Sequence, residues 1–241
     1  MVAPAGKATR CPVLFRDQWI ILVDKPAEVL SHPNEKKKQG GASFEGPYDF
    51  SDRRFDTPEG PVWLIHRLDQ DASGILLAAL DNSIVKRLRS LFEERQIQKQ
   101  YLALVPGRPP WQGKWRDHLA ERREKARVRS FVIRSRPPNA ELRYSVKRIF
   151  PRADLSLLSI QLITGKTHQI RVQSASRGFP VAGDEIYGDF PFNRKLRKGI
   201  GLRRLFLHAE SLSFPHPKTG RFLKVTAPLP EELEQCLIRA S

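Results

Sequence analysis

Cysteine is scarce in this chain. Two occur among 241 residues, Cys11 and Cys236, near opposite ends and in no CxxC pair. That spacing indicates neither a disulfide framework nor a cysteine zinc site and fits a reducing cytoplasm. Long apolar runs are missing as well, so no segment reads as a membrane-spanning helix. The start, MVAPAGKATRCP, lacks an apolar core of signal-peptide length, and residues 1–12 read as a short flexible tail. No GxGxxG or Walker-type glycine loop occurs, which argues against a dinucleotide or ATP cofactor. The six histidines, His32, His66, His118, His168, His208 and His216, show no HxxxH or HxH spacing, so no metal site is expected. Acidic residues are also in short supply. Asp plus Glu number 26 against 42 Lys plus Arg, a net charge of +16. A field of that sign favours a polyanionic partner, with nucleic acid ahead of an anionic membrane, because no basic amphipathic helix rich in Trp or Phe is present.

What is present describes a soluble globular protein, with 40% hydrophobic and 28% charged residues. WIILV (19–23) reads as a buried strand ended by Asp24-Lys25-Pro26. Residues 34–61 are rich in Gly, Pro, Ser and charge and read as a surface insertion. After the run HRLDQDASGILLAAL, Asn82 or Ser83 is placed to cap a helix with Ile84, Leu88, Leu91 and Phe92 on one face. YLALV (101–105), LRYSVKRIF (142–150), LSLLSIQLI (155–163), LFLHAESLSF (205–214) and FLKVTAP (222–228) read as strands. Thr167 is the expected N-cap of an amphipathic helix that stops at Gly178. Two basic stretches, 111–136 and 193–204, carry few apolar residues. The fold class is therefore mixed α+β, with a mainly antiparallel sheet and flanking helices.

Three residues could carry chemistry. In HRLD, Arg67 and Asp69 lie two apart, so an extended segment points both side chains to one face. A positive neighbour favours the carboxylate that a nucleophile or general base needs. The same spacing also suits a solvated ion pair in a turn. Arg171 is either a solvated helix arginine or the partner of a carboxylate or phosphate. Tyr101 is either a core tyrosine or a platform on which a base stacks. The glycines of PVAGDEIYG, which contains Asp184 and Tyr187, suggest a tight supporting loop.

Taken in order, DKPAEVLSHP, HRLDQDASGILLAAL, KQYLALVPG, LITGKTHQIRVQSASRGFPVAGDEIYG and LFLHAESLSFPHP resemble the successive motifs of the RluA family of RNA pseudouridine synthases. The resemblance runs from about residue 13 to 230, so 13–241 is expected to be one catalytic domain without the N-terminal RNA-binding module many relatives carry. It implies an isomerase that converts uridine in structured RNA (tRNA or rRNA) to pseudouridine, with base flipping and without cofactor or metal. Asp69 is then the essential catalytic residue, and Tyr101 stacks on the target base and serves proton transfer. Arg171 pairs with Asp69, and Arg67 fills the place of the flipped base. His66 and Leu207 complete the substrate pocket. A cytoplasmic monomer is expected. Three positions depart from the family pattern: Ala72 for a usual Thr, Gln173 for a common His, and Glu28 for a usual Gly. Two other readings compete with this one. One is a non-catalytic RNA-binding or RNA-chaperone protein that kept the fold. The other is a glycoside hydrolase, for which Asp71 would be the second acid.

Overall fold

The computed structural model describes residues 9–33, 41–124 and 127–241. In chain order its elements are β1 (Val13–Arg16), β2 (Ile20–Lys25), β3 (Tyr48–Asp49), β4 (Arg54–Thr57), β5 (Gly60–Leu64), β6 (Ser73–Ala79), α1 (Asn82–Glu93), β7 (Gln98–Pro106) and β8 (Gln112–Glu124). There follow β9 (Arg127–Ile133), β10 (Ala140–Phe150), β11 (Leu155–Leu162), α2 (Gln169–Ala175), α3 (Phe190–Gly199), β12 (Leu207–Pro215), β13 (Phe222–Thr226) and α4 (Glu231–Ala240). All strand pairings with a described register are antiparallel. The chain forms two compact units, one from residues up to Gln98 with Ala209–Pro228, the other from Lys99–His208 with Leu229–Ser241.

The first unit is built around β6. All seven of its residues are buried, which is why SGILLAA reads as a continuous apolar run rather than an alternating one. β2 lies along one side of it. On the other side β5 pairs only with Ala78 and Ala79, and β12 takes over beyond. Helix α1 closes one face with Ile84, Val85, Leu88 and Leu91. Its N-cap is Asp81, whose carboxylate accepts from Ser83 N at 2.7 Å, rather than the expected Asn82 or Ser83. Asp81 has the extended backbone that lets a carboxylate fold back onto the helix. Part of the expected 34–61 insertion is regular structure. Residues 34–40 lie outside the described residues, but β3, β4 and β5 form an antiparallel meander. Its aromatic side, Tyr48 and Phe55 with Phe44, is buried. Thr9 bonds to Ser43 O at 2.7 Å and Cys11 is fully buried, so the chain is already packed here before β1 begins.

In the second unit the strand order is β7-β11-β10-β8-β9. The basic 111–136 stretch is largely a long hairpin, β8 with β9, rather than irregular excursion. β8 docks on β10 by its first six residues, Gln112 to Asp117. A core of Leu102, Leu104, Phe150, Leu155 and Phe206 is covered by Leu196 of α3 and by Leu233 and Cys236 of α4. The first turn of α4 holds three acids and its last turn Arg239, the charge order the helix dipole favours.

Gly74 is where two strands of the first unit meet most closely. It has φ 112°, and a Cβ there would lie 2.3 Å from Ala209 O. Neither backbone can retreat without breaking its ladder. Gly74→Ala is expected to destabilise the protein by about 3 kcal/mol, read as a lower urea midpoint with an unchanged m-value. A midpoint equal to wild type would show that the approach is not close.

Candidate active site

The HRLD segment begins where β5 leaves β6. Ile65 N still donates to Leu77 O at 3.4 Å, but the next acceptor on the ladder is a side chain, with Leu77 N donating to His66 Nε2 at 3.0 Å. His66 Nε2 must therefore carry its lone pair, and the ring packs 5.1 Å from Phe92 of α1. This half-buried histidine holds the start of the loop. Leu68 is fixed next, because Ser31 Oγ accepts from its N–H and donates to its C=O, both at 3.0 Å. Ala72 N closes a turn onto Asp69 O at 3.2 Å. The family's usual threonine hydroxyl is missing at Ala72, yet this backbone bond remains.

The strongest constraint is Lys25, which is fully buried. Its ammonium donates to Pro26 O and Val29 O at 2.8 Å and to Gln70 O at 3.1 Å. A buried cation is tolerated only when its donors are satisfied. These carbonyls join the turn after β2 to the residue following Asp69. Glu28 N donates to the same Gln70 O at 2.9 Å, from a left-handed backbone of φ 69°. That conformation explains why the family pattern has glycine here, and Glu28 occupies it at a steric cost. Between these anchors Asp69 is half-buried and Arg67 is exposed.

Tyr101, Arg171 and Leu207 belong to the second unit. Tyr101 is buried on β7 opposite Ile160 of β11, and Leu207 is buried at the start of β12. Arg171 is 2% exposed, so it is not a solvated helix arginine. Its Nε and Nη2 bind the two oxygens of Asp184 at 2.7 and 2.8 Å. Asp184 also accepts from Ile186 N at 2.8 Å and Tyr187 N at 3.0 Å. Burial pushes its carboxyl pKa up, but the Arg171 guanidinium and these N–H donors outweigh that and hold it below the usual carboxylate range. PVAGDEIYG thus supports Arg171 directly, a partnership the sequence pattern did not reveal. The available signal is an acid flanked by glycines where backbones crowd: a Cβ on Gly188 would sit 2.1 Å from Asp184 O.

Helix α2 differs from the amphipathic helix expected. Six of its seven residues are buried, polar ones included. Gln169 accepts from Thr164 Oγ1 at 2.7 Å and donates to Gln173 at 3.0 Å, and Gln173 donates to Asp117 Oδ2 at 2.6 Å. Asp117 also pairs with Arg177 at 2.8 Å. Both the oxygen and the nitrogen of the Gln173 amide, the departure from the family's His, are thereby engaged. The N-cap is His168 at φ 52°, not Thr167, and no side chain caps the helix. Thr167 instead offers its carbonyl to Ser130 Oγ at 2.7 Å. His168 Nδ1 lies 3.0 Å from the Tyr187 hydroxyl, which also accepts from Ser130 N at 2.8 Å. Among the described residues no group of three or more His, Cys, Asp or Glu could hold a metal ion.

A family model described as RNA pseudouridylate synthase matches residues 19–176, a stretch that contains the HRLD loop, Tyr101 and Arg171. The chain belongs to the RNA pseudouridylate synthase family. This is an enzyme family that isomerises uridine in RNA to pseudouridine. Among its curated relatives, the ribosomal large subunit pseudouridine synthase C of Pasteurella multocida is 34% identical over 232 residues, covering 93% of this chain and 66% of the relative. The protein of the same name from Escherichia coli K12 is 35% identical over 237 residues, covering 93% and 68%. The chain therefore spans about two thirds of the length of these relatives. Among solved structures, human RNA pseudouridylate synthase domain containing 4 superposes with a TM-score of 0.68 at 24% identity, over 95% of this chain and 92% of that one. That likeness supports the mainly antiparallel pseudouridine synthase fold.

The Arg171–Asp184 pair makes a pH-dependent contribution with a definite sign. A carboxylate whose pKa is lowered on folding adds stability above its unfolded value near 3.9, and that stability is lost as pH falls through the lower folded value. Asp184→Asn should cost about 3–5 kcal/mol at pH 7, because it removes the carboxylate from a buried bidentate ion pair. The gap from wild type should narrow as pH drops below about 4. Urea titrations at neutral and acid pH test this, and a gap independent of pH would contradict it.

Proposed function

We propose that this chain isomerises uridine in large-subunit ribosomal RNA to pseudouridine, with Asp69 as the reacting carboxylate. The observation that carries the reading is the way Asp69 is held. It sits in the family's HRLD motif, and the backbone on either side of it is fixed by buried groups, Ser31 at Leu68 and Lys25 at Gln70. A carboxylate so placed meets the requirement of positioning within a fraction of an ångström. The names of the bacterial relatives favour ribosomal RNA over tRNA.

The reaction needs no external reagent. The C1′–N1 bond breaks, the uracil turns, and a C1′–C5 bond forms; C5 then loses its proton and N1 gains one. Atoms and electrons balance within the nucleoside, so neither cofactor nor metal is called for. Asp69 acts on the sugar or the base, and Tyr101 stacks on the uracil and serves proton transfer from C5. The family resemblance gives Arg171 the role of partner to the catalytic carboxylate; a guanidinium has donors on more than one edge, so this role is compatible with its pair to Asp184. Leu207 gives the base a dry floor. Arg67, exposed on the loop, fills the stack from which the uridine is flipped. His66, committed to Leu77 N, supports the substrate pocket by setting the loop. The +16 charge supplies the phosphate affinity. The enzyme acts in the cytoplasm as a monomer.

Asp69→Asn should abolish tritium release from ribosomal RNA transcripts labelled at uridine C5, a loss beyond about 1,000-fold. Its thermal midpoint and its RNA dissociation constant should stay close to wild type. An Asp69→Asn protein that turns over at the wild-type rate would refute the assignment. A wild-type protein that binds the transcripts without releasing tritium would favour an RNA-binding protein that has kept the fold.

A further inference from the structure

Helix α3 presents two faces of opposite character. Leu196 is buried and Phe192 packs against the core of the second unit. Arg194, Lys195, Arg197 and Lys198 are all exposed, as is Arg203 just beyond the helix. None of these five cations has an ion-pair partner among the described residues, whereas neighbouring Arg204 is paired with Glu232 at 2.8 Å. The helix dipole accounts for basic residues in the last turn, Arg197 and Lys198. It does not account for Arg194, Lys195 or Arg203. Arg194 and Lys198 are like charges four apart, which costs the isolated helix a little stability.

The cations border a defined groove of about 250 Å³ that includes Phe190, Arg194, Arg197, Leu202, Arg203 and, as its single acid, Glu185. Arg194 also borders a second depression with Lys195 and Lys198, so the two form a basic track along the helix. Phe190 is 54% exposed at the mouth of the first groove. The groove is rigidly founded. Asn193 accepts from Gly183 N at 2.9 Å and donates to Asp184 O at 3.0 Å, which ties α3 to the loop that holds Arg171. In the hairpin of the other basic stretch, Lys114 and Arg116 share Glu141, at 3.0 and 3.4 Å.

We propose that the α3 groove is an accessory RNA-binding site, taking a single-stranded segment of the RNA substrate with an unstacked base against Phe190 and its phosphates along Arg194, Arg197 and Arg203. Unpaired cations beside an exposed ring are the combination that single-stranded nucleic acid requires. A lipid surface would need more apolar exposure than one phenyl ring. The proposal rests on the reading of the chain as an RNA-modifying enzyme and names a surface of the second unit that holds the RNA.

The test is RNA affinity of the whole protein across a salt series, on ribosomal RNA fragments, with tritium release measured on the same preparations. Arg194→Glu/Arg197→Glu should raise the dissociation constant at least tenfold near 0.1 M salt and reduce the slope of log affinity against log salt by one to two. Phe190→Ala should weaken binding about tenfold and leave that slope unchanged. Turnover at saturating RNA should stay within twofold of wild type for both variants, and their thermal midpoints verify folding. If both variants bind as wild type does, the groove proposal fails. It fails equally if the charge reversal abolishes binding to vesicles of anionic lipid while RNA affinity is untouched. If wild-type protein releases no tritium, the enzymatic reading fails, and the binding comparison still decides the groove.

Discussion

One buried ammonium organises the loop on which the proposed chemistry depends. Lys25 gives its N–H groups to three carbonyls, two in the turn after β2 and one at Gln70. An unsatisfied cation in that position would be costly, so the turn and the HRLD loop cannot separate without exposing it. Ser31 and His66 add local restraints at Leu68 and Leu77. The result is a loop whose backbone is determined by long-range contacts rather than by its own turn propensity. This tolerance explains how Ala72 and Glu28 can depart from the family pattern. Neither contributes a side-chain bond to the described network, and Glu28 still supplies its backbone N–H from a left-handed conformation.

The second unit solves a similar problem with a different charge. Arg171 and Asp184 are both almost wholly buried, and each is bonded well enough to remain ionised. Around them α2 carries a polar chain from Thr164 through Gln169 and Gln173 to Asp117. Such a network is stable only when complete. Gln173 therefore completes the network with an amide in place of a ring nitrogen. Asn193 extends the same order outward to α3, so the basic groove and the Arg171 support share one loop.

Parts of this fold are plain in the sequence because their cause is local. WIILV reads as a buried strand, and Ile84, Leu88 and Leu91 mark one helix face, because apolar patterning needs no partner to be recognised. The meander of β3, β4 and β5 is hidden because Phe44, Tyr48 and Phe55 are separated by polar turns and become a cluster only after pairing. The polar interior of α2 is hidden for a related reason. Gln173 and Asp117 lie 56 residues apart, and no window of sequence shows that they satisfy each other. The motifs name Asp69, Tyr101 and Arg171 as candidates for the chemistry. They do not identify Lys25 as the anchor or Asp184 as the partner, since both depend on which backbone or side chain arrives from elsewhere.

Pseudouridine formation in ribosomal RNA through Asp69 is tested most directly by a map of pseudouridines across large-subunit ribosomal RNA in cells with the gene, without it, and with only the Asp69→Asn form. One or a few sites should disappear on deletion, return with the wild-type gene and stay absent with the variant. An unchanged map on deletion, or full restoration by Asp69→Asn, would contradict it.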